Sequence, residues 1–194
     1  LIKEIDAKGN ETVMEYDNIN RLTKVTDASG SCSQIEYDAE GNVKAEIDPK
    51  GNRTEYVYNK NGQPQKKTYP DLSNIEYSYD EAGNCRSVKD QSQNITSYIY
   101  DPLNRLAEVT NPMGDTKTFG YDWMGNKTLE TNWAGDKETI YSYDELYRMS
   151  VMTNPDGTVT GWEYDKMGNN IRVTDSNANS TTFEYDVFNR PEKT

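Results

Sequence analysis

Histidine is absent from the 194 residues. Without an imidazole the chain cannot assemble a Ser-His-Asp or Cys-His relay, and it lacks the commonest transition-metal ligand. Thiols are almost absent too: Cys32 and Cys85 are the only two, too few for a conventional zinc site in a chain with no histidine. No metal and no cofactor is expected. Core-forming residues are scarce, with Val, Ile, Leu and Phe together filling 30 positions, about 15% of the chain. Set beside 33 acidic against 21 basic side chains and a formal charge of −12, this is the compositional profile of a disordered chain. The shortage of positive charge argues against nucleic acid and against anionic lipid surfaces, both of which want basic patches. No stretch approaches the roughly 18 consecutive apolar residues of a spanning helix, so no membrane insertion is expected. Helical spacing is missing as well, because Gly, Asn, Asp or Pro interrupts every stretch within about ten residues. The opening residues, Leu1 to Asp6, are no signal peptide, and the chain starts on Leu rather than Met. It is therefore expected to be a piece of a longer protein.

What the chain does have is tyrosine: 15 Tyr and 3 Trp, each able to remove roughly 150–250 Å² from water when buried. Any core is expected to be built from them. The tyrosines recur in a fixed pair, as Tyr16-Asp17, Tyr37-Asp38, Tyr79-Asp80, Tyr100-Asp101, Tyr121-Asp122, Tyr143-Asp144, Tyr164-Asp165 and Tyr185-Asp186, with Tyr58-Asn59 filling the gap. Successive tyrosines are 21 residues apart, except for 22 between Tyr121 and Tyr143. Nine anchors at one period override the disorder reading and predict one repeat region over residues 1–194 without an internal domain boundary.

Two residues before each anchor stands a large apolar or aromatic residue, from Met14 and Ile35 to Trp162 and Phe183. Period two is the strand period, so this residue and the tyrosine share one face of a strand that ends at the anchor. Behind the anchor Asp come Gly-Asn or Asn-Arg pairs, such as Gly41-Asn42 and Asn104-Arg105, which suit a turn with a residue at positive φ. A second short strand follows, then a second turn of the type Asp48-Pro49-Lys50-Gly51 or Asn154-Pro155-Asp156-Gly157. The fold class is therefore all-β, an antiparallel meander of about eighteen strands in nine strand-turn-strand-turn units. In the second strand the apolar residues stand three apart, as in Leu22 and Val25 or Leu106 and Val109. This odd spacing predicts a β-bulge or a strong local twist there.

The motifs Tyr-Asp-x-x-Gly-Asn and Tyr-Asp-x-x-Asn-Arg-Leu resemble the YD repeats of Rhs proteins, of the C component of insecticidal toxin complexes, of wall-associated polymorphic toxins and of teneurins. Tyr100-Asp101-Pro102-Leu103-Asn104-Arg105-Leu106 is a full match, and Tyr58-Asn59 with Gly62-Gln63 is the weakest unit. The resemblance implies a curved or spiralling sheet that forms part of a hollow shell. It further implies that the shell encloses or presents a C-terminal toxic or effector domain of the same parent chain. By the same resemblance the protein would be secreted or at the cell surface, and bacterial. The self-cleaving aspartate region that many toxin members carry downstream is not recognisable in this segment.

Nothing singles out a catalytic site, and the segment is expected not to be an enzyme. The anchor aspartates could be read as a ladder of metal-binding or catalytic carboxylates, but turn formation accounts for them. Asp175-Ser176-Asn177-Ala178-Asn179 opens like a calcium loop, yet it has Ser180 where such a loop needs Gly. Trp123 and Trp133 depart from the repeat at turn positions and are candidates for surface contacts. They carry the alternative reading, an extracellular module that binds glycans or a cell-surface receptor. Other expected contacts are between neighbouring repeats and, through free strand edges, between fragments. Cys32 and Cys85 occupy non-equivalent points of the repeat, and whether they pair stays open.

Overall fold

A computed structural model describes residues 1–193. By internal contacts these divide into two units, Leu1–Thr96 and the residues from Ser97 onward. The first holds β1 (Ile2–Ile5), β2 (Glu11–Tyr16), β3 (Leu22–Thr26), β4 (Cys32–Tyr37), β5 (Val43–Ile47), β6 (Arg53–Tyr58), β7 (Pro64–Thr68), β8 (Asn74–Tyr79) and β9 (Cys85–Lys89). β10 (Ile95–Tyr100) lies at the division. The second continues with β11 (Leu106–Thr110), β12 (Thr116–Tyr121), β13 (Lys127–Thr131), β14 (Glu138–Tyr143), β15 (Met149–Thr153), β16 (Val159–Tyr164), β17 (Asn170–Thr174), β18 (Ser180–Thr182), β19 (Glu184–Tyr185) and β20 (Pro191–Lys193). No helix occurs among the described residues.

Within each unit successive strands pair antiparallel, apart from β18 and β19, and so make the expected meander. Among the described residues twenty strands occur, against about eighteen expected. A strand precedes the first anchor unit, and the last long strand breaks at Phe183 into β18 and β19, where the Phe183 N–H still donates to the Ile171 carbonyl at 3.0 Å. The predicted bulge is present in each long-strand/short-strand pair that is resolved. Glu15 pairs with Lys24 and Tyr16 with Leu22, so that Thr23 is the extra residue. The same shift recurs at Ala107 in β11 and Thr128 in β13. One additional residue returns Leu22 and Val25 to the face that carries Met14 and Tyr16, which is why three-residue spacing is compatible with a strand.

The turns obey one rule. Asp17 N donates to the Arg21 carbonyl at 2.9 Å and Asn20 N to the Asp17 carbonyl at 3.2 Å, with Asn20 at φ +63°. This is a type I turn followed by a left-handed residue, and the pattern recurs at both ends of the units. The extra residue between Tyr121 and Tyr143 is absorbed in such a turn: Asn132 N reaches the Lys137 carbonyl, one residue further on than usual. The adjoining strands keep their register.

No closed core forms among the described residues, of tyrosine or of any other large side chain. Ala45 is the one buried apolar residue among those described, Thr131 the one buried polar residue, and no large side chain is fully buried. The anchor tyrosines and their partners two residues upstream are half-buried. A single layer gives each side chain neighbours along the sheet but no second layer across it. Ala45 itself is covered by charge. It stands between Glu36 and Glu55 in the ladder, where Arg53 donates to both Glu36 oxygens at 2.7 and 2.8 Å and to Glu55 at 2.8 Å.

Candidate functional site

The repeated feature that concentrates specific chemistry is the Tyr-Asp turn. In the first unit type, Asp101 Oδ1 accepts the backbone N–H groups of Leu103 and Arg105, both at 2.9 Å, while Oδ2 accepts Arg105 Nε at 2.7 Å. Asp17, Asp144 and Asp186 hold Arg21, Arg148 and Arg190 in the same way. In the second type an asparagine takes the place of the arginine: Asn42, Asn84, Asn126 and Asn169 donate Nδ2 to Oδ2 of Asp38, Asp80, Asp122 and Asp165. Tyr58-Asn59 is the variant. Asn59 Oδ1 still accepts two backbone N–H groups, but its Nδ2 donates to Gln63 Oε1, the polarity being reversed because an amide stands in for a carboxylate.

These bonds hold all eight anchor carboxyls below their ordinary value. For Asp17, Asp101 and Asp186 the leading cause is the backbone N–H of the arginine four residues on. For Asp38, Asp80, Asp122 and Asp165 it is the asparagine amide, and for Asp144 the Arg148 side chain. A carboxylate whose two oxygens are engaged by three donors is a turn brace and a poor general acid. Asp175, the opening residue of the calcium-like sequence, is spent similarly on Asn177 N, Asn179 N and Asn179 Nδ2. Among the described residues no group of three or more acidic or cysteine side chains could hold a metal ion.

Two further contacts join one repeat to the next, and the local reading of the sequence missed both. The anchor hydroxyl of Tyr37 donates to the Leu22 carbonyl at 2.8 Å, fifteen residues back. Tyr58, Tyr79, Tyr121 and Tyr164 do the same to Val43, Pro64, Leu106 and Met149, and Tyr143 to Lys127. The cause is a splayed ladder. Between β3 and β4 the last pair is Lys24 with Gln34, two residues short of Leu22, and the tyrosine supplies a donor beyond the end of the ladder. The second contact is stacking: Arg21 lies 4.3 Å over Tyr37, Arg105 4.7 Å over Tyr121 and Arg148 4.6 Å over Tyr164. Arg105 and Arg148 also donate to the Asp122 and Asp165 carbonyls in the following turn. The signal for it was the constant sixteen-residue offset from each of these arginines to the next tyrosine.

Trp123 and Trp133 are not brought together. They occupy turns at opposite ends of the five-residue strand β13, about 17 Å of extended chain apart. Trp123 is 80% exposed and meets the Tyr147 ring edge-on at 6.0 Å. Both cysteines are free, and burial pushes the Cys85 thiol up.

A meander of 21-residue units, braced at its anchors by Asp or Asn turns and latched at six of them by the tyrosine hydroxyl to the preceding repeat, defines a structural repeat sheet. The family model described as the teneurin YD-shell matches residues 1–95 and, overlapping, residues 32–158, and the chain belongs to that family. No protein of curated function matches it. Among solved structures, TcdB2–TccC3 aligns with 98% of this chain at 16% identity and a TM-score of 0.77. The Tc holotoxin pore of Photorhabdus luminescens aligns with 95% at 18% identity and a TM-score of 0.67. The chain spans 12% and 11% of those two chains. At such identities the likeness is one of fold: this is a segment with the architecture of a YD/Rhs shell.

Proposed function

We propose that the segment is shell wall. In the longer protein its sheet encloses, or presents, a C-terminal toxic or effector domain, and the nine repeats act as a single region that does no chemistry of its own. Delivery is to the outside of a bacterial cell, by secretion or display at the surface. The observation that carries the reading is the sameness of the anchors. A catalytic site needs unlike groups converging on one point, whereas here each Asp carboxylate is spent on its own turn and each resolved tyrosine latch on the neighbouring unit. The fold likeness to TcdB2–TccC3 supports it. The test is to delete whole 21-residue units from the longer protein and add protease. An opened wall leaves the downstream domain cleavable, while full protection together with lost attachment to cells would overturn the reading.

The second reading, recognition of a glycan or a surface receptor, is favoured by the exposure of Trp123. On that reading Trp123→Ala abolishes retention on a glycan array or on cells. On the shell reading it leaves the protection of the downstream domain unchanged.

A further inference from the structure

Arginine fills one place in the repeat three times: Arg21, Arg105 and Arg148 each lie over the tyrosine sixteen residues on, at 4.3, 4.7 and 4.6 Å. Arg105 makes the fullest set of contacts. Its Nε donates to Asp101 at 2.7 Å, the Tyr121 ring lies beneath it, and Nη1 donates to the Asp122 carbonyl at 2.8 Å. That carbonyl also takes Gly125 N at 3.1 Å, so both of its lone pairs are used. From Tyr37 onward, five anchors have no arginine ahead of them: Tyr58, Tyr79, Tyr100, Tyr143 and Tyr185, preceded by Asn42, Gln63, Asn84, Asn126 and Asn169. At Tyr143 the Trp123 ring closes edge-on onto Tyr147 of the next turn at 6.0 Å, and at Tyr185 the Asn169 amide reaches Asn189 across the two turns at 3.0 Å. Asn84 and Tyr100 fall in different units.

Tyr58 and Tyr79 remain, neighbours within the first unit, and beside each a cavity opens. The one at Tyr58, 580 Å³, is lined by Asp38, Asn42, Tyr58, Asn59 and Gly62. These are the repeat equivalents of Asp101, Arg105, Tyr121, Asp122 and Gly125. Asn42 keeps the bond to its turn carboxylate at 3.0 Å but has no guanidinium to lay on Tyr58. The cavity at Tyr79, 960 Å³, has Asn59, Gln63, Tyr79 and Asp80 in the same places. There Gln63 sends its amide past the Asp80 carbonyl to that of Gly83, at 2.8 Å. The Asn59 and Asp80 carbonyls each take the N–H that closes their own turn, Gly62 N at 3.0 Å and Gly83 N at 3.1 Å, and each has a second lone pair for another donor. Four carboxylates, Asp38, Glu40, Asp80 and Glu81, line the two cavities against one ammonium, Lys60, which both share.

The side chain that fills the equivalent place in other repeats names the ligand. We infer that the Tyr58 and Tyr79 cavities bind two arginines of an extended segment of a partner polypeptide. Each guanidinium lies on a tyrosine ring and donates to a turn carbonyl, that of Asn59 or of Asp80, as Arg105 does within the chain. The two places are two strands apart, about 10 Å, which three residues of extended chain span, so the arginines stand three apart in the segment. Lysine is a poorer fit, because an ammonium has no flat fork with which to stack and donate at once. The four carboxylates repel an anionic ligand and attract a cationic one. Lys60 opposes the incoming charge from the rim.

Isothermal titration calorimetry of the 194-residue chain with the peptide Gly-Arg-Gly-Gly-Arg-Gly tests this. Binding of one peptide per chain is expected. Exchanging both arginines for lysine weakens it about tenfold, and so does setting the arginines side by side, which leaves them unable to reach both cavities. Asn42→Arg fills the Tyr58 place from within the chain, as Arg21 does at Tyr37, and weakens the peptide about tenfold. Asn169→Arg makes the same change of charge in the other unit and leaves binding within about twofold. Lys60→Ala strengthens it about threefold. Circular dichroism checks that the sheet of each variant is intact. No binding at about 5 mM peptide overturns the inference. Equal affinity for the lysine peptide, or equal loss from Asn42→Arg and Asn169→Arg, overturns it in favour of unspecific attraction between acidic chain and basic peptide.

Discussion

At the scale of the residue, the anchor is tyrosine because a hydroxyl is needed beyond the end of a splayed ladder. Phenylalanine would stack under the arginine equally well but would leave the carbonyl fifteen residues back without its donor. Tyr121→Phe, which strips the Leu106 carbonyl of its partner, is expected to cost about 1 kcal/mol in urea unfolding, the usual net worth of such a bond. The left-handed turn positions are a second single-residue requirement. Leu72 occupies one at φ +68° with its side chain 80% exposed, so strain there is uncompensated by packing. Leu72→Gly is expected to raise stability by roughly 0.5–1 kcal/mol, the left-handed penalty less the entropy cost of glycine. A lower unfolding midpoint would mean that Leu72 packs in solution against something it does not touch here.

At the scale of the element, the turns and the strands set the two pH limits. The turn carboxyls are held below their ordinary value near 3.8, so the stability they contribute is complete above it and is lost as pH falls through the lowered folded values. Thermal unfolding midpoints should therefore fall below about pH 4, as expected for lowered carboxylates. Tyr56 works in the other direction. Burial, and then its hydrogen bond to Glu46 at 2.7 Å, pushes it up to about 12 from 10.0. Its contribution is whole below pH 10 and disappears as pH rises towards 12. Tyr56→Phe should flatten the alkaline limb of the stability profile and leave the acid limb as it is. If the alkaline limb is unchanged, other tyrosines dominate it.

At the scale of the whole molecule, a chain whose units contact mainly their neighbours should lose stability in unit-sized steps. Removing residues 59–79, one full period from Asn59 to Tyr79, joins Tyr58 to Asp80 and preserves strand direction and facing. Far-ultraviolet circular dichroism of that variant is expected to stay that of a β-sheet. Removing half a period, residues 59–68, deletes β7, so that one turn joins β6 to β8, which run in the same direction in the meander; forcing them antiparallel should unfold the neighbouring pairs. Equal spectra from the two deletions would mean that the period is not the structural unit.

The nine periods, the all-β meander, the turn positions and the bulge were legible in the amino-acid sequence because each depends on residues a few positions apart. An Asp closes its turn on the residue four along, and one inserted residue moves Val25 onto the face of Leu22. The tyrosine latch and the Arg21–Tyr37 stack were not legible locally, since they join residues fifteen and sixteen apart that only strand register brings together. That no closed core forms has a reason composition does not express. Aromatic area is buried only if a second layer covers it, and each unit builds one layer. Tertiary structure alone decided that Trp123 and Trp133 face opposite edges, with Trp123 80% exposed at its turn.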